Sequence, residues 1–387
     1  MSDTPTARPA SDLPRYDVAV LGGGVAGLSI AWRAARAGLS VAVVDPAPGT
    51  GATHASAGML APVSEVTYTE EPLLRLGLAS LAAWPGFRAE LEEDSGVAID
   101  HRADGTIEVA GSADDMAVLD ELGAFETALG LRVERLTGRE CRALEPMLAP
   151  SVRGGLLARD DAWVNPRLVV RALLTALSRA GGAVVLDRAV AITPSGGGDL
   201  RVRRESGEEI HAGRVVVAAG ARSPELLDGL PGAPDTPVRP VKGQILRLRG
   251  PRGFLTRCVR GLVHGTPVYL VPRGDGEITL GATAEELGFD QRVTAGGVYG
   301  LLRDARELVP GVTELELTET TVGFRPGTPD NLPLIGPAGP PGVVAATGHH
   351  RAGVLLAPIT AETVVALLTG APVPEVARSC DPGRFLP

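Results

Sequence analysis

Residues 16–45, YDVAVLGGGVAGLSIAWRAARAGLSVAVVD, restrict the fold of this chain more than any other stretch. A short apolar run at 18–21 has the character of a buried parallel strand. Gly22, Gly24 and Gly27 follow in G-x-G-x-x-G spacing, and an alanine-rich helical segment runs on to about Ala37. Gly38 stops the helix, and residues 39–44 form a second apolar strand closed by Asp45. In such a unit the first glycine permits a tight turn. The second admits a pyrophosphate to the backbone, and the third lets the helix pack on the sheet. Val25 and Ala26 sit at the helix start, where unpaired N–H groups and the dipole favour phosphate. Asp45 lies near the ~20-residue distance expected of an acid that accepts from ribose hydroxyls. Strand, triplet, helix, strand and acid in this order point to an adenine dinucleotide, without choosing between FAD and NAD.

The 387 residues suffice for two domains or one large interrupted one. A net charge of −9 with scattered basic residues argues against nucleic acid or an anionic membrane as partner. Cys141, Cys258 and Cys380 form no C-x-x-C pair, so neither a disulfide framework nor a thiolate metal site is expected. Residues 1–14 are rich in Pro, Ser, Thr and Ala and read as a disordered tail. No apolar stretch reaches the ~18 residues of a membrane span, and a cytoplasmic protein without bound metal is the expectation.

Residues 52–62, ATHASAGMLAP, are small and punctuated by Gly and Pro. They fit either a tight helix–sheet contact or a segment laid along a flat cofactor. Helices are expected over 73–91 (breaking or resuming at Trp84-Pro85), 114–130, 167–180, 294–308 and 353–368. Continuous apolar strands fall near 18, 41, 184, 215 and 343, whereas alternating ones cluster at 97–110 and 238–282, with 156–164 also strand-like. This layout predicts an α/β chain. A Rossmann-like dinucleotide domain is built from separated segments (15–95, 146–236, 321–387), and an antiparallel-sheet substrate domain is inserted twice (96–145, 237–320).

Four blocks carry a resemblance over nearly the whole chain: the glycine turn through Asp45, GATHASAGMLAP at 51–62, VGFRPGTPDNLPLIG at 322–336, and TGHHRAGVLLAP at 347–358. With them the chain resembles glycine oxidases of the thiamine-biosynthesis type, within the flavin-dependent D-amino-acid oxidase family. The resemblance thins over 255–266, and Arg222 stands where relatives often carry Trp.

That resemblance implies noncovalent FAD. It implies flavin contacts from Ala52, Thr53, Ala57, Gly58 and Met59, adenine contact through the backbone of Val190, and cofactor contact at Gly220. The turn Gly348, His349, His350, Arg351, Ala352, Gly353, Val354 and Leu355 would offer N–H groups to the flavin. Arg325 would clamp the substrate carboxylate, since its rigid fork matches a carboxylate in two parallel hydrogen bonds, and Tyr269 and Arg351 would be further substrate contacts. A lone arginine is ordinarily a surface cation. Arg325 differs because it ends an apolar strand and opens a turn fixed by Pro and Gly. The implied reaction is oxidative deamination of glycine, sarcosine or D-alanine with oxygen, giving hydrogen peroxide, by a homotetramer. The imine product would pass to glyoxylate or toward a thiazole. A D-amino-acid or sarcosine dehydrogenase using another electron acceptor is the alternative.

Overall fold

The computed structural model describes residues 15–385, so the expected tail lies outside the described residues. The glycine-turn unit folds as the strand Arg15–Leu21, the helix Val25–Arg36 and the strand Val41–Val44. Arg15–Leu21 pairs in parallel with Val41–Val44 on one side and with Glu209–Val217 on the other. Ala183–Val185 extends the parallel set at one edge and Val343–Thr347 at the other, within an eight-stranded sheet. Val18 and Val20 turn to one core, and Ala19 and Leu21 to the core on the opposite face. Burial on both faces is why these strands read as continuous apolar runs rather than alternating ones.

Trp32, Trp84, Phe87 and Leu173 fill the larger core, between Val25–Arg36, Glu71–Ser95, Pro166–Arg179 and Ala357–Thr369. Glu71–Ser95 runs straight through Pro85, where a break was allowed for. A mid-helix proline costs ~3 kcal/mol. Here the buried Trp84, Phe87 and Leu91 oppose that cost, and Trp84 Nε1 and Ser80 Oγ both donate to Leu355 O.

A second eight-stranded sheet runs in the order Glu316–Gly327, Arg239–Arg249, Glu277–Gly281, Thr266–Pro272, Cys258–Val263, Thr106–Ala110, Gly154–Ala158, Val133–Thr137. Its pairs are antiparallel except for Cys258–Val263 beside Thr106–Ala110, where two distant parts of the chain meet in parallel. Gly154–Ala158 belongs to this sheet, so by sheet membership the first inserted segment reaches past 145.

Several expected elements divide. The run 156–164 turns at Arg159–Asp160, just before the buried Asp161, whose carboxylate accepts from Val63 and Ser64 N at 3.1 Å each. Ala162–Val164 then joins a small sheet with Met59–Leu60 and His101–Arg102. The run 184–190 becomes the edge strand Ala183–Val185, with Val184 36% exposed, and the hairpin strand Ala189–Pro194. The last helix begins at Ala357 rather than 353, after a 3₁₀ turn at His350–Ala352. No helix among the described residues is long and apolar enough to cross a membrane.

Candidate active site

A cavity of about 640 Å³ runs between the two large sheets, from the glycine turn to Tyr269 and Arg325. At its first end, a Cβ on Gly22 (φ +115°) would lie 2.3 Å from Ala218 O, and one on Gly27 2.0 Å from Gly22 O. Only glycine fits either position. Gly22, Gly24, Val25 and Ala26 line the cavity, whereas Gly27 stands behind them as the helix–turn contact. The helix Val25–Arg36 has no side-chain cap from its own N-cap residue and no acid in its first turn, so its positive end is open to an anion in the cavity. Asp45 accepts from Gly23 N at 2.6 Å and from Ala47 N at 2.7 Å. An ionised carboxylate has about four acceptor sites, so it retains acceptors for ribose hydroxyls. Gly220 also lines this end, together with Arg188 and Ala189; Val190 does not.

Further along, Ala52, Thr53, Ala57, Gly58 and Met59 form one wall. Thr53 Oγ1 accepts from Val25 N at 3.1 Å, tying this wall to the helix start. Gly58 has φ +74°, and a Cβ there would lie 2.0 Å from Val164 O. Two buried arginines of the second sheet hold the wall, and sequence reasoning missed both. Arg247 donates to His54 O at 2.9 Å. Arg273 donates to Val164 O at 3.0 Å and to Ala57 O, and burial pushes it down to about 10. The one sequence signal of Arg247 is a charged residue at an inward position of an alternating strand; Arg273 lies just past the end of the strand Thr266–Pro272.

The opposite wall carries His349, His350, Arg351, Gly353 and Val354; Gly348, Ala352 and Leu355 lie outside the lining. The expected helix start is therefore replaced here by the 3₁₀ turn and the residues after it. His349 Nε2 pairs with Thr360 Oγ1 at 3.0 Å, and burial pushes the ring down to about 4. Burial, then the charge of Arg351, pushes His350 down to about 4 as well, so both rings are neutral at pH 7. His350 Nδ1 is buried without a partner.

Five arginines line the cavity: Arg188, Arg222, Arg260, Arg325 and Arg351. Four are ion-paired, with Glu205, Glu225, Glu65 and Glu70 respectively. Arg351, expected to touch substrate, also donates to Glu65 O at 3.0 Å, so its fork holds the segment 65–70 in place. Arg325 alone of the five has no carboxylate partner among the described residues; it donates to Thr283 O at 3.2 Å. It lies flat on Gly243, where a Cβ would come within 2.6 Å of its Nη1. Tyr269 likewise lies over Gly281, whose Cβ would fall 2.4 Å from the phenol oxygen. Burial raises the Tyr269 phenol against the opposing charge of Arg325, which keeps it a protonated donor. Glu65 and Arg260, both in the lining, were not anticipated from sequence.

The cradle fits FAD on its own geometry: a glycine turn that no Cβ can enter, a helix start with no acid in its first turn, a ribose acceptor, and a wall of small residues with no cysteine among the described lining residues. Comparison with known proteins agrees. The family model described as FAD dependent oxidoreductase (DAO) matches residues 17–367. The glycine oxidase of Bacillus licheniformis is 33% identical, over 93% of this chain and 94% of its own length. The bifunctional protein ThiO/ThiG of Trichormus variabilis is 32% identical over 90% of this chain, which spans about half (52%) of that longer protein. The crystal structure of glycine oxidase from Geobacillus kaustophilus superposes with a TM-score of 0.89 at 32% identity, covering 97% of this chain and 100% of that one. The chain thus belongs to the DAO family of FAD dependent oxidoreductases, with FAD as its cofactor.

Proposed function

We propose that this protein is an FAD-dependent oxidase of glycine and other small amines, among them sarcosine and D-alanine. The observation that carries the reading is Arg325, a cavity guanidinium with no acid of its own, beside a protonated Tyr269. A substrate carboxylate supplies the missing anion, and bidentate pairing with Arg325 fixes its plane. Tyr269 donates to the same carboxylate. With that end held, the α C–H is aimed along the cavity and the amine is left near neutral, polar surroundings. FAD held by Gly22, Gly24, Val25, Ala26 and Asp45 at its dinucleotide end and by the wall Ala52, Thr53, Ala57, Gly58 and Met59 at its flavin end would supply the acceptor for the α-hydrogen and pass the electrons on to oxygen as hydrogen peroxide. His349 and His350, both neutral, add no charge that would repel the substrate's amine. The product imine hydrolyses to glyoxylate and ammonia, or passes on to thiazole formation for thiamine; the names of the glycine oxidase and ThiO/ThiG relatives support this setting.

In the same reading the FAD is noncovalent, and the chain comprises an FAD-binding and a substrate domain, each discontinuous. The enzyme works in the cytoplasm as a homotetramer, which light scattering of the purified protein tests. The decisive assay is peroxide release from the purified holoenzyme with glycine, sarcosine, D-alanine, D-proline and L-alanine. Turnover of glycine with silence on L-alanine is expected. Flavin reduction under argon without peroxide in air would move the assignment to a dehydrogenase. Arg325→Ala should lower kcat/KM at least about 30-fold while retaining flavin absorbance, as loss of one partner of a desolvated charge pair costs ~2–5 kcal/mol; wild-type turnover in that variant would refute the clamp.

A further inference from the structure

One charged pair in the cavity takes no part in the chemistry above. Arg260 Nη1 donates to Glu65 Oε1 at 2.9 Å, and both residues line the cavity. Strand register sets Gly281, Tyr269, Arg260 and Glu108 side by side on four neighbouring strands. Directly opposite residues in a sheet share a face, so the residue next to Tyr269 on the side away from Gly281 is Arg260.

The pair is held in place from several sides. Asp161 fixes Val63 and Ser64 through their N–H groups, and Arg351 fixes Glu65 through its carbonyl. The side chains of Arg260 and Glu65 are only 17% and 13% exposed. Their polar capacity is not used up: among the described residues Arg260 is the one donor to the Glu65 carboxylate, and that bond is the one side-chain hydrogen bond Arg260 makes. An apolar group pressed against such a pair strips its remaining water and returns nothing, whereas a hydroxyl both donates to Glu65 and accepts from Arg260. Sites built this way discriminate strongly against the analogue that lacks the polar group.

We propose that Glu65 and Arg260 form a specificity-determining subsite that takes a short hydrogen-bonding side arm, so that D-serine is preferred over its apolar isostere. The proposal rests on Arg325 as the carboxylate clamp. For D-serine the α-carbon gives a hydride to the flavin and the amine loses a proton. One O2 then takes the two electrons, and water converts the imine, so that D-serine, O2 and H2O give 3-hydroxypyruvate, NH3 and H2O2.

The test compares kcat/KM of the holoenzyme for D-serine and D-2-aminobutyrate, which differ by a hydroxyl in place of a methyl. D-Serine should lead at least tenfold, and in Arg260→Met and Glu65→Gln, each retaining its flavin absorbance, the gap should fall below threefold. Equal turnover in the wild type, or a lead for 2-aminobutyrate, overturns the proposal. Because Arg260 also faces the buried Glu108 and its loss endangers folding, a second arm needs only the wild type. In it, 3-hydroxypropionate and butyrate are titrated against the flavin spectrum, and the hydroxy acid should bind at least tenfold tighter. Equal binding of the two acids refutes the subsite and leaves the clamp standing; binding of neither refutes both.

Discussion

At the scale of single residues, the site depends on side chains that are missing as much as on those present. Gly243 and Gly281 each leave a flat patch of backbone for Arg325 and Tyr269 to lie on. Gly243→Ala should push the Arg325 guanidinium off its seat, because a Cβ would sit 2.6 Å from Nη1. The expected outcome is a KM for glycine raised about tenfold or more with FAD content unchanged, read by steady-state kinetics beside the visible spectrum; an unchanged KM would show that the fork does not need that seat. The sequence made Arg325 legible because its neighbours fix a turn, and Gly22 and Gly27 legible because sterics forbid any alternative at that spacing. Arg351 was legible as a cavity residue but not as the partner of Glu70, which lies 281 positions away and is brought near only by the fold. Glu65 and Arg260 were illegible for a related reason: neither residue carries its meaning without the other.

At the scale of elements, the flavin wall is a loop held by strands of the other sheet. Arg273, on the chain just past Thr266–Pro272, donates from a buried position to Ala57 O of that wall and to Val164 O, on which Gly58 packs. Arg273→Met removes those donors and should cost ~3 kcal/mol or more locally, since carbonyls shaped around a buried cation lose their partners. The protein should then purify with little yellow colour and regain it only at added FAD concentrations at least tenfold above those that saturate the wild type. Full retention of FAD would mean that Arg247 alone anchors the wall. Strand and helix types were largely readable from periodicity. The divisions of 156–164 and 184–190 were not, because neither break carries the Gly or Pro that punctuates a turn: the chain turns at Arg159–Asp160 in the first and bends at Asp187 in the second.

At the scale of the whole molecule, buried ionisable groups bound the pH range of stability from two sides. His349 is held neutral, pushed from 6.5 down to about 4 by burial. Its contribution is fully present above pH 6.5 and is lost as pH falls through 4. Glu126 is pushed from 4.5 up to about 8, by burial first and then by Glu108 and Asp161. Its contribution is fully present below pH 4.5 and is lost as pH rises through 8. Each shift corresponds to on the order of 3–5 kcal/mol. Thermal melts should therefore show Tm falling between pH 6.5 and 8.5, and Glu126→Gln should remove much of that fall without a comparable gain at pH 5. A parallel shift of both curves would assign the alkaline loss to other groups.

The interleaving of the two sheets also sets a schedule for biosynthesis. The glycine turn leaves the ribosome about 320 residues ahead of the facing wall of the cradle, which runs from Ala346 to Val354. Between them lies the parallel pairing of Thr106–Ala110 with Cys258–Val263, a closure across some 150 residues of the kind that slows folding. A ribosome-bound chain can therefore form the first strand–helix–strand unit early, yet it cannot enclose a flavin until Val354 has emerged. Cofactor capture waits for that wall, and a chain interrupted before Ala346 should be colourless.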